Sequence, residues 1–115
     1  MHELGIMESA LGLVQRCAAE RNARRVERVV LRIGTLSGVD PDSLRFAFEV
    51  VSRGTSAEGA DLDIESVPAT AYCKGCQEEF TATAADFVLR CPNCSVLCGD
   101  VRRGREIELS RLEFT

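Results

Sequence analysis

Four cysteines in two Cys-x2-Cys pairs define the first chemistry open to this 115-residue chain: Cys73-Lys74-Gly75-Cys76 and Cys91-Pro92-Asn93-Cys94, separated by 14 residues. Each pair can present two thiolates from one tight turn, and two turns can close a tetrahedron around Zn²⁺ with Zn–S distances of about 2.3 Å. The separation falls just short of the usual spacing of roughly 15–20 residues, a difference that a hairpin connection absorbs. Lys74, Gly75 and Asn93 suit turns that aim backbone N–H groups at sulfur, and Phe80, Phe87 and Leu89 are placed to cover one side. A four-sulfur shell leaves no position for water or substrate, so the zinc is expected to be a structural cross-link and not a catalyst. So small a module cannot fold on its own apolar area, whereas zinc contributes on the order of 10–16 kcal/mol in zinc-finger peptides. Redox use of a single Cys-x2-Cys explains the paired repeat less well than joint ligation does.

The only histidine, His2, offers a second chemistry. With the initiator methionine retained, the Met1 amine, the deprotonated His2 amide and the His2 imidazole close a five-membered and a six-membered chelate ring, and the Glu3 amide can add a fourth nitrogen. Square-planar or tetragonal nitrogen coordination favours Ni(II) or Cu(II) over Zn(II). Against this stands the commoner case of a terminal histidine that is an ordinary solvated side chain. The two remaining cysteines are expected to be incidental. Cys17 falls on an apolar helix stripe and reads as a small buried hydrophobe, and Cys98, although near enough to Cys94 to exchange with a ribbon ligand, reads as a spare thiol.

The composition narrows the context. Six cysteines in so short a chain call for an oxidising compartment or a metal. Met1-His2-Glu3-Leu4 has no basic lead-in or apolar run of a secretory signal, and nowhere do about 18 apolar residues follow one another. A cytoplasmic protein is therefore expected, where reducing conditions favour metal ligation over disulfides. Fourteen basic against eighteen acidic residues give a net charge of −4. Four thiolates around Zn²⁺ would lower it to about −6, which argues against nucleic acid or an anionic membrane as partner.

The elements that must position these groups follow from periodicity. Leu4, Met7, Leu11, Val14 and Ala18 form one helical stripe over residues 4–22, with Ile6, Ala10, Leu13 and Cys17 beside it, so this helix is expected to be well covered. Val26 to Ile33 reads as a strand, and Asp40-Pro41 supplies an N-cap and first helical residue for a second helix ending at Arg53-Gly54. That helix carries Leu44, Ala47, Phe48 and Val51, with Phe46 and Val50 alongside. Leu62 and Ile64 alternate with acids in a second strand that ends near Pro68. The C-terminus forms a third, whose parity change between Leu109 and Leu112 predicts a bulge near Ser110. The expected fold class is α+β: a small three-stranded sheet with two helices, plus an inserted four-cysteine zinc-ribbon module. Residues 1–68 and 105–115 would form one domain and 69–104 the insert.

Met1-His2-Glu3-Leu4, the segment Ile33-Gly34-Thr35-Leu36-Ser37-Gly38-Val39-Asp40-Pro41 and the paired Cys-x2-Cys together resemble the hydrogenase nickel-incorporation protein family, HypA/HybF. Leu44-Arg45-Phe46-Ala47-Phe48 and Gly59-Ala60-Asp61-Leu62-Asp63-Ile64-Glu65 add to the resemblance, which spans essentially the whole chain. It implies a nickel metallochaperone, not an enzyme, that helps load nickel–iron hydrogenase together with a GTPase partner and the hydrogenase large subunit, and in some bacteria also serves urease accessory proteins. The family's nickel site would fall on Met1, His2 and Glu3, as transient cargo, and its structural zinc on Cys73, Cys76, Cys91 and Cys94. One departure is Ser95, where relatives often carry glycine.

Two other classes compete. A zinc-ribbon module for nucleic acid or protein would use Arg21, Arg24, Arg25 and Arg28, but these alternate with Glu20 and Glu27 and read as a solvated helix end. A rubredoxin-like iron site could use the same four sulfurs, but two helices and 5% aromatics do not suit that scaffold. No catalytic serine, Cys–His pair or phosphate loop is apparent in the sequence.

Overall fold

The computed structural model describes residues 2–82 and 89–115, so Met1 and Phe87 lie outside the described residues. By compactness the chain divides into two units. The first comprises Met1–Arg32, Val39–Glu65 and Glu108–Thr115, the second Ile33–Gly38 and Ser66–Ile107.

The first unit holds α1 (His2–Glu20) and α2 (Pro41–Val51), which pack on each other. In α1 four residues of the predicted stripe, Met7, Leu11, Val14 and Ala18, are sealed, and Leu4 is half-buried. Met7, Leu11 and Val14 contribute roughly 1.5–3 kcal/mol each, enough to outweigh the low helix propensity of Gly5 and Gly12. The neighbouring stripe is less covered than periodicity suggests: Ile6, Ala10 and Cys17 are half-buried and Leu13 is exposed. The helix ends in a Schellman turn, in which Asn22 takes the left-handed conformation (φ 52°) and Ala23 N–H donates to Ala18 O at 2.9 Å. In α2 the expected cap is present, since the Asp40 carboxylate accepts the Ser43 N–H at 3.2 Å and Pro41 opens the first turn. Leu44, Ala47 and Phe48 are buried there, while Phe46 and Val50 face outward.

A three-stranded sheet has the order β2 (Asp61–Val67), β1 (Val26–Gly34), β6 (Ile107–Phe114). As the central strand, β1 buries residues of both parities, Val26 and Val30 as well as Val29, Leu31 and Ile33. Arg28 and Arg32 interrupt one of its faces and are neutralised from the flanking strands. Arg28 bonds Asp63 at 2.7 Å and also meets Asp61 and Glu113, and Arg32 meets Glu108 at 3.4 Å. Arg28 is thus a sheet residue between carboxylates and not part of a solvated helix end, which corrects the expectation from charge pattern alone. The β6 strand is continuous, with Leu109, Leu112 and Phe114 half-buried and Ile107 exposed.

The second unit contains three strands that the sequence does not announce: β3 (Thr70–Cys73), β4 (Glu78–Thr81) and β5 (Val101–Arg103), in the order β4-β3-β5. Antiparallel pairing of β3 with β4 sets Cys73 opposite Glu78 and Ala71 opposite Phe80. Ala69, Ala71 and Leu89 form a small buried cluster, covered in part by Phe80, Leu36, Cys98 and Val101. Leu89 and Phe80 thus pack with the alanines of this cluster.

The segment Ile33–Gly38 joins this unit through backbone bonds, including Thr35 N–H to Val67 O at 3.0 Å and Leu36 N–H to Gly104 O at 2.7 Å. The approach is so close that a Cβ on Gly34 would lie 2.0 Å from Gly104 O. Backbone cannot yield as a flexible side chain would. Gly34→Ala is accordingly expected to cost about 3 kcal/mol, the upper end of overpacking penalties, read as a fall in the urea midpoint of the zinc-loaded protein. An unchanged midpoint would show that this contact is not tight in solution.

Candidate metal centre

The two knuckles sit in matching turns. Cys76 is followed by Gln77 at φ 55° and Cys94 by Ser95 at φ 65°, both in the left-handed region that glycine adopts most readily. Ser95 therefore meets the same backbone demand without the glycine, and its N–H closes the turn onto Cys91 O at 2.9 Å. In the first knuckle the Cys76 N–H points at the Cys73 sulfur, and in the second the Val96 N–H points at Cys94. Backbone donors aimed at sulfur are the arrangement that stabilises thiolate.

These turns bring all four predicted sulfurs together, each within 4.8 Å of the others. Cys73 and Cys94 are 3.6 Å apart and Cys76 and Cys91 3.8 Å. A regular tetrahedron with Zn–S bonds of about 2.3 Å requires edges of about 3.8 Å, so the cage has the size of a zinc tetrathiolate. Cys73 and Cys91 are buried, Cys76 half-buried and Cys94 exposed. The donor set thus fits structural zinc in both number and spacing.

Ionisation within the cage is uneven. The Cys76 N–H, with neighbouring thiols as further donors, draws the Cys73 thiol down to about 6. Cys76 is pushed up to about 12, first by Cys91 and Cys94 as neighbours and then by burial and the charge on Cys73. At Cys94 the Val96 N–H favours thiolate, but Cys73, Cys91 and burial together leave the thiol raised. Without a cation, one negative charge is welcome in the cage and further ones are not. A divalent metal removes that limit.

At the other predicted site, His2 is the first residue of α1 and its imidazole is well exposed. Its Nδ1 lies 3.7 Å from the Glu3 carboxylate. Glu3 itself is largely covered, and its carboxylate accepts the Asp40 N–H at 3.2 Å. That amide, followed by Glu3's own N–H, holds the Glu3 carboxyl below its usual range. Asp40 is lowered in turn by the Ser43 hydroxyl and amide. Both are carboxylates with depressed folded values, so their contribution to holding the two helix starts together is present at neutral pH and is lost as acid protonates them. The N–H groups of the first turn of α1 take no part in its backbone ladder, so binding a metal through the His2 and Glu3 amides would cost only the bond from the Glu3 N–H to its own carboxylate. The structure thus brings His2 and Glu3 side by side and adds Asp40, an anchor for Glu3 that sequence reasoning identified only as a helix cap. Met1, the third expected ligand residue, lies outside the described residues.

Comparison with known proteins places these features in a family context. A family model described as hydrogenase/urease nickel incorporation, metallochaperone, hypA, matches residues 1–114. The chain is 43% identical over 113 residues to a protein of Picosynechococcus sp. named hydrogenase maturation factor HypA, covering 98% of each. It is 44% identical over 114 residues to one of the same name from Roseiflexus sp., covering 99% of this chain and 92% of the relative. Among solved structures, it resembles the Ni metallochaperone HypA from Helicobacter pylori with a TM-score of 0.66 at 29% identity, over 97% of this chain and 96% of that one. A second solution structure, of HypA protein, gives a TM-score of 0.71 at 30% identity, over 100% and 97%.

Proposed function

Because this chain belongs to the HypA family of hydrogenase/urease nickel-incorporation metallochaperones, we propose that it binds Ni(II) at its N-terminus and delivers it for maturation of nickel–iron hydrogenase. The carrying observation is that the match runs from residue 1 to residue 114 and so takes in both the Met1-His2-Glu3 terminus and the four clustered cysteines. In this reading the Met1 amine, the His2 amide and the His2 imidazole hold nickel, with Glu3 completing the site. Zinc on Cys73, Cys76, Cys91 and Cys94 is resident and structural.

The exposure of His2 at a helix start favours reversible binding, since an incoming donor can displace imidazole without disturbing the core. Nickel then passes to its acceptor by ligand exchange, with no covalent chemistry on this chain. The acceptors proposed are the maturation GTPase and the hydrogenase large subunit, with urease accessory proteins a further recipient in cells that make urease. A cytoplasmic location accords with these partners and with reduced thiols. Among the described residues no helix is long and apolar enough to cross a membrane. Nucleic-acid binding finds little support, because Arg28 is engaged by carboxylates and the net charge is negative.

In cells lacking their own nickel-insertion factor, the untagged chain is expected to restore hydrogenase activity without added nickel. The His2→Ala variant should restore it only when the medium is supplemented with nickel. Failure of the unaltered chain to restore activity in a host whose hydrogenase it should serve would overturn the assignment.

A further inference from the structure

The outward face of α2 carries apolar side chains that its own core does not use. Phe46, at 65%, is the most exposed large apolar residue among those described, and Val50, one turn on, is 42% exposed. Both point away from the buried row of Leu44, Ala47 and Phe48, as helical periodicity requires. A polar residue at either place would leave that core unchanged.

Charge is laid out in order along one flank of this pair. Asp42, Arg45 and Glu49 recur at helical spacings of three and four, and Arg53 continues the row just past the C-cap Ser52. Arg45, Glu49 and Arg53 line one cleft beside Leu62, so they share a side of the helix in space as well as in period. All four are exposed. Arg45 donates to Leu62 O at 3.1 Å, and among the described residues none of the four belongs to an ion pair. From the N-terminus to the C-terminus the flank reads acid, base, acid, base. A parallel copy of the helix would set like charge against like. An antiparallel copy reverses the row to base, acid, base, acid, so that every position meets its opposite.

We propose that α2 is the interface of a two-fold symmetric dimer, its outward face being covered by α2 of a second copy. The helices run antiparallel, with Phe46 against Val50 of the second copy and Val50 against that copy's Phe46. Asp42 then pairs with Arg53 of the second copy and Glu49 with its Arg45, each pair occurring twice about the axis. An isologous contact requires a self-complementary patch of this kind. The alternation is what selects a second copy, since an unrelated partner demands no such reversal symmetry of this chain. Pairing along the whole helix calls for a shallow crossing of about 20°, because at about 50° the ends diverge and Asp42 and Arg53 separate. One pair of 11-residue helices covers less surface than a standard interface, so the dimer is weak, readily exchanging and sensitive to salt.

The test is sedimentation equilibrium of the full, untagged, zinc-loaded chain at low salt and up to millimolar concentration. Wild type should show a monomer–dimer equilibrium. Asp42→Arg sets like charges against each other twice, as does Arg53→Asp, and either should weaken self-association at least about 10-fold. An equimolar mixture of these two variants should restore it, because in the mixed dimer both end pairs are again opposite in sign. Phe46→Ala, which leaves the charged row intact, should also weaken the dimer. If either end variant loses wild-type helicity or zinc content, Arg45→Glu and Glu49→Arg provide the same complementary pair from the middle of the row. A wild type that stays monomeric at every concentration would overturn the proposal and leave this face to a different protein. So would a dimer that survives Phe46→Ala and the charge reversals, or a mixture no more associated than its components.

Discussion

Cys73→Ser is expected to abolish stable zinc binding and unfold the second unit, leaving a chain in which only the first unit retains slowly exchanging amides. Cys73 is the most buried of the four ligands and the end of the central strand of its sheet, opposite Glu78. Apart from the metal cage, the described buried apolar residues of this unit are Ile33, Val67, Ala69, Ala71 and Leu89, with a few partial covers. Burying so few apolar side chains cannot offset the entropy of ordering the whole unit at about 1–2 kcal/mol per residue. Metal binding must therefore be part of folding, as it is in small zinc modules generally. Chelation of zinc from the wild type should reproduce the effect, and readdition should reverse it.

The effect has a definite pH direction. Near neutrality Cys73 favours thiolate, whereas Cys76 and Cys94 retain their protons in the metal-free cage. Zinc binding must expel those protons, so zinc-dependent stability is present at neutral and higher pH and is lost as acid returns protons to the sulfurs. Calorimetry of zinc binding in buffers of differing ionisation enthalpy should detect net proton release. Hydrogen-exchange protection of residues 66–82 and 89–107 that survives Cys73→Ser without metal would show that the core suffices alone.

His2→Ala should lose nickel binding while zinc content stays at one per chain. Loss of an outer-shell partner already costs a metal site roughly 10–100-fold in affinity, and removal of a ligand should cost at least that much. Extending the chain ahead of Met1 should have an equal effect, because it converts the terminal amine into an amide and removes the five-membered ring. His2 is exposed and its side chain contributes nothing to the buried stripe of α1, so neither change should disturb the fold. Nickel titration of untagged protein, with both metals counted, makes the comparison. Retention of wild-type affinity by either altered chain, with zinc and helicity intact, would exclude the N-terminal site. Acid should also weaken nickel binding, since imidazole ligates only when neutral and the amides must lose protons.

Much of this was legible in order along the chain. The zinc ligands, both helices, the Asp40 cap and strands β1, β2 and β6 each announce themselves through spacing, period or local chemistry. The short strands β3, β4 and β5 do not, because three or four residues of mixed polarity carry no clear alternation. Which stripes of the helices would be sealed was also open: Phe46 and Val50 are as apolar as Phe48, yet only Phe48 and its row face inward.

Sequence alone determined the four-cysteine donor set, because ligand type, number and spacing within a turn are local properties. It likewise determined the family, whose signatures run the length of the chain. Tertiary structure decided what depends on residues distant in sequence. It brought Glu3 to the Asp40 amide across 37 positions, joined Ile33–Gly38 to the second unit through Val67 and Gly104, and set Arg28 among carboxylates on two other strands. It also packed Cys98 against Ala69, Ala71 and Leu89, which four-residue spacing from Cys94 left undecided. The physical reason is the same in each case: a backbone hydrogen bond or strand register selects the partner, and neither is encoded by neighbouring residues.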